Sequence, residues 1–172
     1  MEEQNYYNTQ ILYDKIQIKC SDLNNNINTK IYSILKNKIE NKCYKNGFIL
    51  KDSIKLINKN LGILINHDSE NFVEYKIKYS VTIIQPTIDD KIICYINDIN
   101  KLGIIAYIKY KDIKDMDDNN GISDSPLLII IPNENILDIE KYDINHKIKI
   151  IVKATRIQFN ANKIQIIGEI TE

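Results

Sequence analysis

The chain is poor in the residues from which most chemical sites are built. Its 172 residues hold three cysteines, two histidines and a single arginine, Arg156. Cys20, Cys43 and Cys94 are far apart, odd in number and form no CxxC, so they fit neither a disulfide framework nor a zinc site. Free, mostly buried thiols in a reducing compartment are expected. His67 stands beside Asp68 and Ser69, but three adjacent residues cannot form a triad by adjacency alone. His146 precedes a strand among Asn and Lys, and both histidines are expected in solvent. There is no Walker-type phosphate loop and no dinucleotide-binding glycine motif. No apolar run approaches the ~20 residues of a membrane span. The start, MEEQNYYNTQ, is too acidic and polar for a signal peptide. The expectation is a soluble intracellular protein with no catalytic residues, no cofactor, no metal and no membrane contact.

Isoleucine, asparagine and lysine are abundant instead. Hydrophobic residues make up 44% and charged residues 27%, values ordinary for a globular chain. The bias toward Ile, Asn, Lys and Tyr is the imprint of an AT-rich genome, which makes lysine a default polar residue and weakens any argument from lysine number. Net charge is zero, yet residues 1–86 carry 12 basic and 9 acidic side chains and residues 87–172 carry 11 and 14. Neither half has the basic excess of a protein that relies on phosphate contacts.

Hydrophobic periodicity divides the chain near Pro86–Asp90. In residues 10–19, Ile16 and Ile18 alternate with Lys15, Gln17 and Lys19, a strand pattern. Ile27, Ile31, Ile34, Leu35 and Ile39 then form one helical stripe. Possible N-caps lie among Ser21, Asp22 and Asn24 to Asn26. Asn46-Gly47 predicts a turn or bulge, residues 48–57 a strand, residues 58–71 a loop or loose hairpin tip, and residues 72–85 a long strand. On that strand Tyr75, Ile77, Tyr79, Val81 and Ile83 share a face. Beyond Pro86 five short strands are predicted: 92–98, 102–110, 127–131, 147–159 and 163–170, with a bend at Gly103 and a short helical turn between the third and fourth. The fold class is α+β: an N-terminal strand–helix–strand–strand domain, residues 1–86, and a five-stranded OB-type barrel, residues 87–172.

The acidic stretch with Asp112, Asp115, Asp117, Asp118 and Asp124 lacks the alternating ligands and terminal glutamate of a calcium loop, and reads as a solvated loop. Tyr107 and Tyr110 with Lys109 and Lys111 form a candidate basic–aromatic patch for single-stranded RNA. The alternative is that Tyr107 is a barrel-wall residue and the lysines keep a strand soluble.

The order of parts resembles the seventh, stalk subunit of eukaryotic RNA polymerase II and its archaeal counterpart. Four stretches carry the resemblance. The helix region 25–41 is followed by Cys43-Tyr44-Lys45-Asn46-Gly47-Phe48-Ile49, similar to the family's Cys–Gly–aromatic–aliphatic segment. Phe72 to Tyr79 with Val81 to Pro86 is similar to its long strand ending in proline. Asn100-Lys101-Leu102-Gly103-Ile104 looks like the barrel's bend, and Arg156-Ile157 through Ile166-Ile167-Gly168-Glu169-Ile170 like its closing hairpin. The resemblance spans nearly the whole chain; its divergence and the AT-rich composition suggest a viral version of that stalk protein, from a large DNA virus, or one from another AT-rich lineage with its own transcription machinery. It implies a tip domain that docks on the polymerase core near the clamp through a tip loop at about 59–71, with Asn60, Leu61, Gly62, Ile63, Leu64 and Phe72 as docking residues. It also implies a barrel related to the repeats of ribosomal protein S-one, lying beside exiting RNA. The implied partners are the large polymerase subunits, a stalk partner like the fourth subunit, and weak contact with nascent RNA. The implied location is the nucleus, or the viral factory or virion of a large DNA virus. Ile104 and Ile105 stand where the family has an aromatic, and Thr87-Ile88-Asp89-Asp90 where it has an aromatic and Gly-Glu. Both departures count against RNA binding by the barrel. A stand-alone RNA-binding OB protein of translation or RNA decay, and a purely structural interaction module, are the competing readings.

Overall fold

The computed structural model describes residues 6–67, 70–113, 121–136 and 139–171. Most of the acidic stretch, with Asp115, Asp117 and Asp118, falls outside the described residues, as do Asp68 and Ser69. The described residues fall into two compact units, one formed by Thr9–Glu40 and Ile49–Ile83, the other by Asn41–Phe48, residues from Ile84 onward and the start of the first strand.

The helix-bearing unit opens with β1 (Tyr7–Lys19), whose alternation buries Ile16 and Ile18 as the pattern requires. A 3₁₀ turn at Cys20–Asp22 leads to α1 (Ile27–Ile39). The helix has no side-chain N-cap. The Asn24 side chain instead accepts from the Asn26 N–H at 2.9 Å and shapes the turn before the helix. Its β-branched residues make it a weak helix in isolation, so packing must hold it. Ile31, Leu35 and Ile39 are fully buried, each contributing about 1.5–3 kcal/mol of apolar burial.

After β2 (Cys43–Tyr44) and β3 (Gly47–Ile49), the single strand expected over 48–57 proves to be two. The break is at Asp52, which takes φ 52°. Its N–H donates to the Glu40 side chain at 2.8 Å and its carboxylate meets Lys36 at 2.9 Å. Those polar ties favour a turn over a continued ladder. β4 (Lys55–Lys59) and β5 (Ile63–His67) follow, then β6 (Glu70–Ile84). The sheet order is β1-β6-β3-β2, with β4 and β5 both antiparallel to β6. The stretch expected as strand–helix–strand–strand, residues 1–86, therefore holds six strands, because the shortest ones are too brief to leave a periodic signal; of these, β2 and the start of β3 fall in the other compact unit. Tyr75, Ile77, Tyr79, Val81 and Ile83 are all buried on one face of β6.

The second unit contains a closed barrel of β7 (Lys91–Asn100), β8 (Gly103–Tyr107), β9 (Leu127–Pro132), β10 (Lys147–Arg156) and β11 (Ile164–Thr171), in the order β10-β11-β9-β8-β7. Neighbours are antiparallel except β9 and β11, which run parallel. This arrangement is consistent with an OB-type barrel. Two 3₁₀ turns, Asn133–Asn135 and Ile139–Lys141, stand where one helical turn is expected. Inward residues are almost all aliphatic: Ile92 and Ile96 from β7, Ile129 and Ile131 from β9, Ile150 and Val152 from β10.

Gly103 is the tightest point of the barrel. It has φ +135°, and a Cβ there would sit 2.0 Å from the Ile131 carbonyl oxygen and 2.9 Å from the Asn133 nitrogen. Backbone cannot yield as a side chain can. Gly103→Ala is therefore expected to cost about 3 kcal/mol or more, measured by urea unfolding of the barrel. Gly121→Ala, also at positive φ but in open space, should cost only about 1 kcal/mol.

Candidate functional site

β4 and β5 run in the same direction along one edge of β6, end to end: Lys55–Lys59 pairs with Ile77–Ser80, and Ile63–His67 with Glu70–Glu74. The expected tip loop is thus an edge strand interrupted at residues 60–62. Asn60 makes the interruption orderly. Its N–H donates to the Lys76 carbonyl at 3.1 Å, and its side-chain oxygen accepts from the Lys76 N–H at 2.9 Å. Gly62 takes φ +89°, where a Cβ would meet Val73 at 2.6 Å and Tyr75 at 2.8 Å. Between them Leu61 is pushed outward until it is 99% exposed, beside Ile63 at 51% and Leu64 at 65%. The structure thus brings Asn60 to Leu64 together as one exposed apolar jog. Phe72 lies further along β6, paired with Ile65 in a recess lined by Gln17, His67 and Glu70.

In the barrel, Tyr107 and Tyr110 are only 5% and 9% exposed. Burial, with the nearby Asp124 carboxylate, pushes the Tyr110 hydroxyl up to about 12. Neither ring is offered to a nucleic acid base, and Tyr107 is the barrel-wall residue of the alternative reading. The exposed lysines remain: Lys111 is on the surface and Lys109 is half-buried with its ammonium 4.2 Å from the ring centroid of Tyr95. Tyr95 is the residue that the pattern missed. It pairs with Tyr107 on one side, the rings 6.1 Å apart, and with Lys147 on the other. A register shift between Ile96 and Asp98 sets Tyr95 opposite Tyr107. A bulge of this kind leaves no mark in residue spacing.

The Cys43 segment is tied to the connection between β10 and β11. The Cys43 N–H donates to the Ala161 carbonyl at 2.8 Å, the Asn160 N–H donates to the Cys43 carbonyl at 2.9 Å, and Tyr44 packs on Phe159 at 5.9 Å. This segment is therefore held by two backbone hydrogen bonds within the barrel unit. Among the described residues, no group of three or more His, Cys, Asp or Glu side chains could hold a metal ion. Among them, too, no helix is long and apolar enough to cross a membrane.

Burial raises the Cys43 thiol to about 11 and raises Cys94 further still. At pH 8 roughly one Cys43 thiol in a thousand is ionised. A maleimide should therefore modify half-buried Cys20 first, and Cys43 and Cys94 only on unfolding, as peptide mapping would show. The raised value means the folded state holds its proton more tightly. The associated stability should be complete below pH 9 and fall as pH climbs through about 11. Cys43→Ala should flatten that loss in unfolding curves.

No protein-family model matches the chain. It is 27% identical over 146 residues to a protein of Acanthamoeba polyphaga mimivirus provisionally described as a DNA-directed RNA polymerase subunit. The match covers 85% of this chain and 64% of that protein, so this chain spans somewhat under two thirds of its relative's length.

Proposed function

We propose that the chain is a non-catalytic subunit of a viral DNA-directed RNA polymerase, and within it the stalk subunit. The observation that supports this best is the reach of the likeness to the mimivirus protein. Its 146 residues are more than either compact unit holds, so the kinship covers the pairing of a helix-bearing unit with a barrel. An isolated similarity between OB barrels would not extend so far. The order of parts, which resembles the seventh polymerase subunit, favours the stalk position. Its partners are then other polymerase subunits, the large core subunits first, with a fourth-subunit-like protein beside it.

In this reading Leu61 and Leu64 are the docking anchors. Large aliphatic side chains this exposed are costly to leave in water, and are suited to filling a pocket on a partner. Phe72 is a less direct candidate, because its ring lies in the recess rather than on the jog. The tagged chain, purified gently from cells that express it with its polymerase, should recover the large subunits in near-equal amounts. Leu61→Asp with Leu64→Asp should lower that recovery at least tenfold while thermal unfolding stays unchanged. Undiminished recovery would remove the docking role from the jog, and absence of polymerase from the wild-type eluate would overturn the subunit assignment.

A stand-alone RNA-binding role is favoured by one observation, the ammonium of Lys109 over Tyr95 with Lys147 across the strand. It requires Tyr95→Ala and Lys109→Ala each to weaken salt-sensitive binding of single-stranded RNA by the whole chain.

A further inference from the structure

The outward face of the sheet in the helix-bearing unit carries a second cluster of side chains. Because Ile16 and Ile18 point into the core, alternation sends Tyr13, Lys15, Gln17 and Lys19 of β1 to the other side. On β6 the same rule turns Phe72, Glu74, Lys76 and Lys78 outward. Contacts between the two strands agree. Lys78 lies 5.8 Å from the Tyr13 ring centroid, Lys15 meets Glu74 at 3.2 Å, and Lys19 lies 5.9 Å from the Phe72 ring centroid. Lys55, opposite Ser80, continues the face onto β4.

The chemistry of this face is specific in kind. Among the described residues of these strands, five lysines stand against two carboxylates, Glu70 and Glu74, with Asp22 also acting on Lys19, and two aromatic rings are interleaved with them. Tyr13 is 65% exposed. At the end nearest Lys19 a recess of about 330 Å³ is lined by Gln17, His67, Glu70 and Phe72. Its walls bring together a ring to stack on, an imidazole, the Gln17 amide, whose nitrogen donates to Glu74 at 3.3 Å, and the Glu70 carboxylate, which pairs with Lys19. Glu70 holds Lys19 at 2.7 Å, which places an ammonium at the rim of the recess. Tyr13 and Lys19 are six positions apart on β1, roughly 20 Å at the rise of a strand.

We propose that this face binds a short stretch of single-stranded nucleic acid. One base stacks against Phe72 in the recess with its edge read by Gln17 and His67, another stacks on Tyr13, and phosphates lie on Lys76 and Lys78. Stacking beside lysines is the usual physical basis of single-strand binding. A protein partner fits less well, because the face is charged and amphipathic where a protein-binding centre is depleted of charge. The proposal does not depend on membership of a polymerase, and it assigns nucleic acid to the helix-bearing unit rather than to the barrel.

The test is fluorescence anisotropy of the whole chain with end-labelled RNA and DNA dodecamers of one mixed sequence, between 50 and 200 mM salt. Tyr13→Ala should weaken binding at least about fivefold. Lys76→Gln with Lys78→Gln should make the slope of log affinity on log salt shallower by about 1.4. These side chains lie on the surface, and unchanged thermal unfolding would confirm that the variants fold. Tighter RNA than DNA binding would add recognition of the 2′-hydroxyl to the proposal, and equal binding would assign it to stacking and phosphates; either supports it. Photo-crosslinking of thiouridine RNA should fall on the β6 peptide containing Phe72. No binding at 50 mM salt overturns the proposal, as does binding that Tyr13→Ala and the lysine pair leave unchanged. Recovery of polymerase subunits should be normal for Tyr13→Ala, which separates this surface from the docking jog.

Discussion

The helix-bearing unit depends on one long strand, β6. β1 pairs with it along one side, while β5, β4 and β3 meet it in turn along the other. Its inward residues, from Tyr75 to Ile83, provide much of the hydrophobic floor of that unit. Its outward residues set the lysines and aromatics of the opposite face. A strand that must satisfy backbone partners on both sides for 15 residues leaves little freedom in register, since a slip of one residue would turn Tyr79 and Ile77 out and Lys76 and Lys78 in. The exposed jog exists because the partner of β6 is interrupted at Asn60 to Gly62 while β6 itself is not.

The barrel solves a different problem. It closes five strands with aliphatic side chains of nearly one kind, so its interior is filled by shape more than by special contacts. That suits a composition biased toward isoleucine. It also means that the surface, not the core, must carry whatever specificity the barrel has. Outward positions on β8, β9 and β11 include Ile105, Ile130 and Ile167, which face one another across the ladders. Lysines lie instead on β10, with Lys147 opposite Tyr95 and Lys149 opposite Ile93, and Lys109 reaches over the Tyr95 ring.

Much of this was legible in the sequence where periodicity was strong. The stripe from Ile27 to Ile39, the alternation from Tyr75 to Ile83 and the five barrel strands each carry enough repeats to specify their element. Short pieces were not legible. β2 has two residues and β3 has three, too few to show any period, and the turn at Asp52 is set by Glu40 and Lys36 from another element. The sequence pattern makes the jog a loop because Asn and Gly are loop residues in isolation. Only the Lys76 backbone, 16 positions away, turns Asn60 into part of a ladder. The setting of the aromatic patch is hidden for a similar reason. Tyr107 and Tyr110 are near each other in sequence, yet the partner of Tyr107 is Tyr95, chosen by a bulge.

The interrupted edge has a consequence for how this protein avoids the wrong company. Among the described strands, β4 and β5 pair with β6 alone. A continuous strand in that place would be a template onto which any extended chain could zip. Breaking it at residues 60–62 divides the edge into two runs of five residues, each too short for a strong intruding ladder. What the break displays is one leucine, Leu61, held almost wholly in solvent. The same three residues thus replace a continuous backbone template with a protruding side chain.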